Sequence, residues 1–301
     1  MLQLIAFAVA LAGSAVGAAW DLRTTEIPDE IPYAMIAIAL ALYGWQSYTE
    51  GSLLPLAYSV GVGGAFFAFG YVMYRIGQWG GGDAKLLAAV GCLMPFFVSG
   101  VLSELAAAGV TIFQGVHTIF PFPLSYFFNV FFVGAAYMMV YAAYIASRNR
   151  DVLSAFGRDV KATSRVFLAA AATLFVAFAA INFMLYKSFG MRLDAAALVS
   201  NSLLPVFATA GVFLVWRFAR AVENVGFRRS VPLSRLRVGD VLENSKVWEG
   251  MTAADIKRIR KSGKKAVRIK EGVRFAPAFP LALLFTLYAG DAIMMVLRFL
   301  G

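Results

Sequence analysis

The chain has 301 residues, 60% of them apolar and 15% charged, and carries a formal net charge of +10 at pH 7. That much apolar sequence excludes a soluble globular domain and implies a polytopic helical membrane protein, in which stretches of about 20 apolar residues cross the hydrocarbon core. The single cysteine, Cys92, excludes an intrachain disulfide and any CxxC zinc site, and reads as a small core residue.

In chain order, eight spans are expected, at about 2–20, 31–48, 55–76, 84–103, 125–146, 166–186, 195–216 and 277–297. The first lacks the basic flank of a signal peptide, since its first basic residue, Arg23, follows the apolar run. It is therefore read as a retained transmembrane helix. The stretch 104–124 is too polar and proline-interrupted for a span, and predicts an amphipathic or re-entrant outer segment. The basic stretch 147–165 reads as a short loop anchored at the inner membrane surface.

Residues 217–275 form the only soluble piece. There Val238-Gly239-Asp240-Val241 predicts a turn between short strands, and Thr252-Ala253-Ala254-Asp255 a capping box opening a basic helix through Lys261. Ala266 to Lys270 alternates as a strand. The fold expected is all-α and polytopic, with a small α+β cytoplasmic subdomain. Its organisation is a membrane core and additional helices over 1–216, the subdomain over 217–275 and a last transmembrane helix over 276–301.

With the N-terminus outside, inner-side segments hold 24 of the 27 basic residues, leaving only Lys187, Arg192 and Arg298 elsewhere. This bias, and attraction to anionic lipid, account for the net charge better than nucleic acid, for which no module is present. It also turns two aspartates to the cytoplasm. Asp21 ends the first apolar run, and Asp83 follows Gly80-Gly81-Gly82 at the start of another.

A carboxylate at membrane depth is expensive and usually functional. Two of them suit peptide hydrolysis, in which one ionised group activates water and one protonated group polarises the scissile carbonyl. Such a pair shares a proton and titrates as a unit. The glycines allow an extended substrate backbone to approach, and permit a non-helical lead into the helix at Asp83. The bland readings are a helix N-cap at the membrane surface and a flexible Gly-Gly-Gly turn.

Asp21-Leu22-Arg23 with Glu26-Ile27-Pro28, and Gly80-Gly81-Gly82-Asp83-Ala84-Lys85-Leu86, resemble the type IV prepilin peptidase and preflagellin peptidase family of GxGD membrane aspartyl proteases. The resemblance covers residues 1–145 and implies that Asp21 and Asp83 are the catalytic pair, with no metal or cofactor. It implies prepilin-like or preflagellin-like precursors as partners, together with membrane lipid. The run from Lys270 to Pro277 is similar to archaeal members, and Pro277-Ala278-Phe279 resembles a Pro-Ala-Leu element of presenilin-like proteases; a proline in the first turn of a helix is the plainer reading. The chain departs from bacterial members in lacking a CxxC-bearing inner domain, which implies a peptidase without methylation, and in having Asp29 after Ile27-Pro28. Glu26, Asp29 and Glu30 then form an acidic lip able to hold the basic residue that precedes the cleavage point in such precursors, or simply solvated loop charge beside Arg23.

The remaining polar residues read as structural. Asp291 repeats a Gly-Asp pair within the last span, His117 has no partner at metal-ligand spacing, Asp194 pairs with Arg192 at the outer surface, and Asn182 and Asn201 bond between helices. The alternative from another class is a proton-coupled secondary transporter using Asp21 and Asp83 between broken helices. It calls for midplane carboxylates and inverted repeats, and neither is visible in the sequence.

Overall fold

The computed structural model describes residues 2–95, 120–190, 194–245, 250–261, 266–270 and 273–300. Its helices are α1 (Leu2–Thr24), α2 (Glu30–Glu50), α3 (Leu54–Arg75), α4 (Gly81–Leu93), α5 (Phe122–Arg148), α6 (Arg150–Ser188), α7 (Ala195–Ala221), α8 (Ala253–Lys261), α9 (Ala278–Ala289) and α10 (Ala292–Leu300). Three short strands, β1 (Arg228–Pro232), β2 (Val241–Leu242) and β3 (Ala266–Lys270), form one sheet in the order β1-β3-β2. The protein is a multi-pass helical membrane protein with a small α+β part. Among the described residues, α1, α3, α5, α6 and α7 with its following π turn are long and apolar enough to cross a membrane.

The chain divides into two compact units, residues 1–141 with 230–301, and residues 142–229. In the first, α1, α2 and α3 each bury one stripe at helical spacing and leave the rest to lipid. On α1 the stripe runs Phe7, Ala10, Ser14, Gly17 and Asp21; on α2 it is Pro32, Met35, Ala39, Tyr43 and Ser47; on α3 it is Pro55, Ser59, Gly63, Phe66 and Gly70. Helix α4 is different, because every residue from Asp83 to Leu93 except Lys85 is buried. It is the centre of this unit, and the three striped helices pack around it. Small residues make the approach close: a Cβ at Gly70 would lie 2.7 Å from Ala84 Cα, and one at Gly63 would strike Cys92 Sγ.

Buried helix ends need partners for their last carbonyls. Tyr43 on α2 donates its hydroxyl to Leu93 C=O at 2.7 Å, and Ser59 on α3 donates to Cys92 C=O at 2.7 Å. The helix stops there, shorter than the expected span 84–103, because Met94 precedes Pro95 and is turned out of the helical region at φ −122°, ψ 54°.

The last segment also departs from expectation. Residues 277–297 are two helices, broken where Gly290 takes φ 72° and Asp291 follows. Asn129 on α5 fills the break: its amide donates to Thr286 Oγ1 at 2.8 Å and Gly290 C=O at 2.7 Å, and accepts from Ala292 N–H at 3.0 Å. Asp291 accepts from Phe120 N–H at 3.3 Å, so this second Gly-Asp pair joins two segments, as the structural reading held.

The α+β part follows the sequence pattern closely. Asp255 accepts from Thr252 N–H at 3.0 Å and Thr252 Oγ1 accepts from Asp255 N–H at 3.2 Å, which is the capping box predicted at the start of α8. The Thr252 hydroxyl, then its amide, hold the Asp255 carboxyl below its usual value, so the cap persists at neutral pH and weakens as acid protonates it. Leu236, Met251, Ile256 and Ile269 make its small core. The predicted turn is present, with Gly239 at φ 98° and Asp240 accepting from Arg237 N–H at 2.8 Å.

In the second unit the expected loop 147–165 is mostly helix. Asn149 accepts from Asp151 N–H at 3.0 Å and so starts α6 at Arg150, well before the apolar run that begins at Val166. At 1.5 Å per residue its 39 residues run about 58 Å, well beyond a hydrocarbon core. Asn182 bonds from α6 to Ser202 on α7 at 3.2 Å, as an interhelical group should, whereas Asn201 is exposed. Asp194 caps α7 by accepting from Ala196 N–H at 3.0 Å; its expected partner Arg192, like His117 and most of 104–124, lies outside the described residues.

Two outcomes follow for stability. Asn129→Leu strands buried groups at the α9–α10 break and is expected to cost on the order of 2–4 kcal/mol, at about 1–3 kcal/mol per unsatisfied group, read as a lower Tm in detergent. A Cβ at Gly82 would lie 2.9 Å from Ile27 Cβ. Gly82→Val is therefore expected to cost about 1–3 kcal/mol through overpacking, with much of the loss recovered in the Gly82→Val/Ile27→Ala double variant.

Candidate functional site

Asp21 is the last member of the buried stripe of α1, 5% exposed, one turn before the helix ends. The chain then reverses. Thr25 donates its N–H to Asp21 C=O at 2.8 Å and adopts φ 62°, an uncommon conformation for a β-branched residue. This turn sends Ile27 back against Gly17 on α1 and against Gly82. The Glu26-Ile27-Pro28 and Gly80-Gly81-Gly82-Asp83 motifs therefore touch, and Gly82 is small because Ile27 occupies the space beside it.

Asp83 sits in the first turn of α4, 8% exposed, and accepts from Gly80 N–H through Oδ2 at 3.0 Å. The capping geometry expected from an aspartate after glycines is present, though the cap residue is Gly80 itself, extended at φ −73°, ψ 156°. Gly81 has ordinary room: a Cβ there would come no closer than 3.8 Å to the Tyr74 ring. Trp79, just before the glycines, packs its ring against Phe69, Phe131, Phe275 and Phe279 at centroid distances of 5.6–6.1 Å. It ties the Asp83 loop to the segment leading into α9.

That segment reaches Asp21. Ala276 N–H donates to Asp21 Oδ2 at 3.1 Å, and Pro277, the next residue, is buried as the N-cap of α9. Arg274 donates to the Tyr141 hydroxyl at 2.5 Å and is close enough to act on Asp21 electrostatically. The turn after Asp21 packs Ile27 on Gly82, and Trp79 packs on Phe275 beside the amide that holds Asp21, so the two carboxyl-bearing ends share one neighbourhood. Two carboxyls from sequence positions 62 apart are thus brought together, each held through one oxygen by a backbone amide.

The acidic lip is less uniform than its composition. Asp29 forms an ion pair with Lys85 at 2.6 Å, and Lys85 also lies over the Tyr33 ring at 5.5 Å. Glu30 opens α2 and is exposed. Glu26 faces the α+β turn, where a Cβ on Gly239 would lie 3.0 Å from its carboxylate oxygen. Of the three acids, Asp29 is thus balanced by Lys85, whereas Glu30 is exposed and Glu26 faces the turn. Among the described residues no three His, Cys, Asp or Glu side chains converge as a metal site would need.

Sequence reasoning assigned no individual role to Arg274, Ala276, Tyr141 or Trp79. The run from Lys270 to Pro277, already marked out, was the signal for Arg274 and Ala276.

Residues 8–143 match the type IV leader peptidase family. The chain is 32% identical over 149 residues to the preflagellin peptidase of Methanococcus voltae, a match covering 48% of this chain and 58% of that protein. It is 27% identical over 150 residues to prepilin peptidase EppA of Methanothermobacter thermautotrophicus, covering 50% and 38% respectively. A preflagellin peptidase of Methanocaldococcus jannaschii is 29% identical over 104 residues, 35% of this chain and 44% of that protein. The matches thus span roughly half the length of these relatives, and both aspartates, the intervening glycines and the Ile27-Pro28 turn fall inside the family region. Residues 8–143 are thus similar to the type IV leader peptidase family.

Proposed function

We propose that the protein is a membrane-embedded aspartyl endopeptidase that removes the leader from prepilin-like or preflagellin-like precursors at the cytoplasmic face of the plasma membrane. The observation carrying this reading is the pair of buried carboxyls, Asp21 and Asp83, each held by a backbone amide at helix ends whose flanking segments, Ile27 and Gly82, pack together. The relatives named as preflagellin and prepilin peptidases support it. The transporter alternative draws no support from them.

In this reading the two carboxyls carry one proton between them. Ala276 N–H and Gly80 N–H fix Oδ2 of each, leaving Oδ1 of each for the reacting atoms. The ionised carboxylate takes a proton from water as its oxygen attacks the scissile carbonyl, while the protonated one donates toward that carbonyl oxygen. Collapse of the tetrahedral intermediate passes a proton to the leaving amine and restores the shared-proton pair. The precursor's apolar helix lies in lipid against the enzyme, and its basic residue before the cleavage point meets Glu26 and Glu30. Gly80 and Gly81 keep the approach to Asp83 free of side chains, with Gly82 serving the contact to Ile27. Pro277 lines the site through its neighbour Ala276. The α+β subdomain of residues 217–275, treated as its own domain, guides substrate from its contact with Glu26.

The test is cleavage of a labelled prepilin-like precursor by the protein reconstituted in lipid. Asp21→Asn and Asp83→Asn are each expected to lower kcat/KM at least about a thousandfold, roughly 4 kcal/mol of barrier, with the fold intact. Near-normal cleavage by either variant removes that residue from the dyad. Glu26→Gln/Glu30→Gln is expected to raise KM severalfold for a precursor with Lys before the cleavage point and to leave one with Gln there unchanged; equal effects on both precursors would assign these acids to the fold instead.

A further inference from the structure

Helix α5 passes beside the segment that holds Asp21. Its Gly134 makes room for Phe275, whose ring would lie 2.7 Å from a Cβ at that position. One turn further on, Tyr137 and Tyr141 stack with ring centroids 6.0 Å apart and planes 13° apart, and Tyr141 accepts the hydrogen bond from Arg274. Tyr137 is thus pinned by Tyr141, which is pinned by Arg274, two residues before the amide that binds Asp21.

The Tyr137 hydroxyl is sealed from solvent and lipid, and among the described residues it has no hydrogen-bond partner. Nearly all buried polar groups are paired, and an unpaired one costs free energy that a phenylalanine of the same shape would avoid. Helix α5 already carries phenylalanine at Phe127, Phe128, Phe131 and Phe132, so nothing in its local packing demands a hydroxyl. Through Tyr141 and Arg274 the Tyr137 ring is joined to the segment whose Ala276 amide holds Asp21. The carboxyls are themselves only 5% and 8% exposed, so any opening that admits a peptide to them uncovers this neighbourhood as well.

We infer that Tyr137 is a substrate-binding residue whose hydroxyl donates a hydrogen bond to a main-chain carbonyl of the peptide laid across Asp21, an inference that rests on the peptidase reading above. The ligand class follows from the donor. A neutral hydroxyl in an apolar wall suits a neutral acceptor, and an extended peptide presents one carbonyl per residue regardless of side chain. The residue aligns the scissile bond with the carboxyls; it takes no part in the proton transfers.

Tyr137→Phe keeps the stacked ring and removes only the hydroxyl. In the same reconstituted assay, kcat/KM is expected to fall about 10- to 100-fold, equally for precursors with Lys or Gln before the cleavage point, while the Tm of the free protein stays level or rises. Wild-type cleavage by the Phe variant overturns the inference. So does a Tm that falls in step with activity, or a failure to fold, because either would give the hydroxyl a structural partner. Asp21→Asn, run alongside, separates the two ideas: cleavage by that variant sinks the peptidase dyad, whereas its loss together with full activity in Tyr137→Phe sinks only the Tyr137 contact.

Discussion

Burial of α4 on every side is the constraint on which the first unit depends. A helix without a lipid or water face can carry a carboxyl only at an end, and Asp83 occupies the first turn. The surrounding helices then have to supply both apolar cover and hydrogen bonds. They do so with stripes of small and medium residues, Gly63 and Gly70 on α3 against Cys92 and Ala84, and with Tyr43 and Ser59 at the far end of α4. The stripe on α1 terminates in Asp21, so packing against α4 also delivers the second carboxyl.

Several buried polar groups among the described residues are joined to backbone. Asn129 satisfies the interrupted α9–α10 helix, Gly80 and Ala276 hold the two carboxyls, and Asp291 ties down Phe120. Such bonds are worth little net but are costly to leave unmade in an apolar interior, which makes them positional devices. The aromatic contacts of Trp79 have a parallel effect. They join the loop before Asp83 to Phe275 and Phe279, flanking the segment that grips Asp21, so that the two carboxyl-bearing elements share one wall. The Tyr137 hydroxyl, without a partner among the described residues, departs from this pattern, and its ring stacks on the tyrosine that holds Arg274.

The outer charges of the site behave differently from the buried ones. Asp29 and Lys85, close to the two motifs, neutralise each other across the turn, an exposed pair of modest worth. Glu26 is brought under the Gly239 turn, where a larger residue than glycine would crowd its carboxylate. The α+β part therefore reaches the lip of the site as well as supplying Arg274.

Much of this was legible in the sequence because it is written in local codes. Apolar run length identifies helices that cross lipid, Thr252 and Asp255 announce the start of α8, and the two short motifs point to Asp21 and Asp83. Local codes fail where the outcome depends on a neighbour distant in the chain. Nothing near Met94 except Pro95 announces that α4 stops there, nothing near Gly290 reveals that Asn129 waits to satisfy a broken helix, and Asn149 converts an apparent basic loop into the first turns of α6. The glycines before Asp83 read as open space for a substrate, but only the fold shows Gly82 filled by Ile27. The sequence by itself determined the class of protein and pointed to the two carboxyls, since burial of apolar surface and the cost of charge in lipid act residue by residue. Tertiary structure alone decided the long-range partners, Ala276 for Asp21 and Tyr141 for Arg274 beside it, because such hydrogen bonds depend on which distant segments pack within a few ångströms of one another.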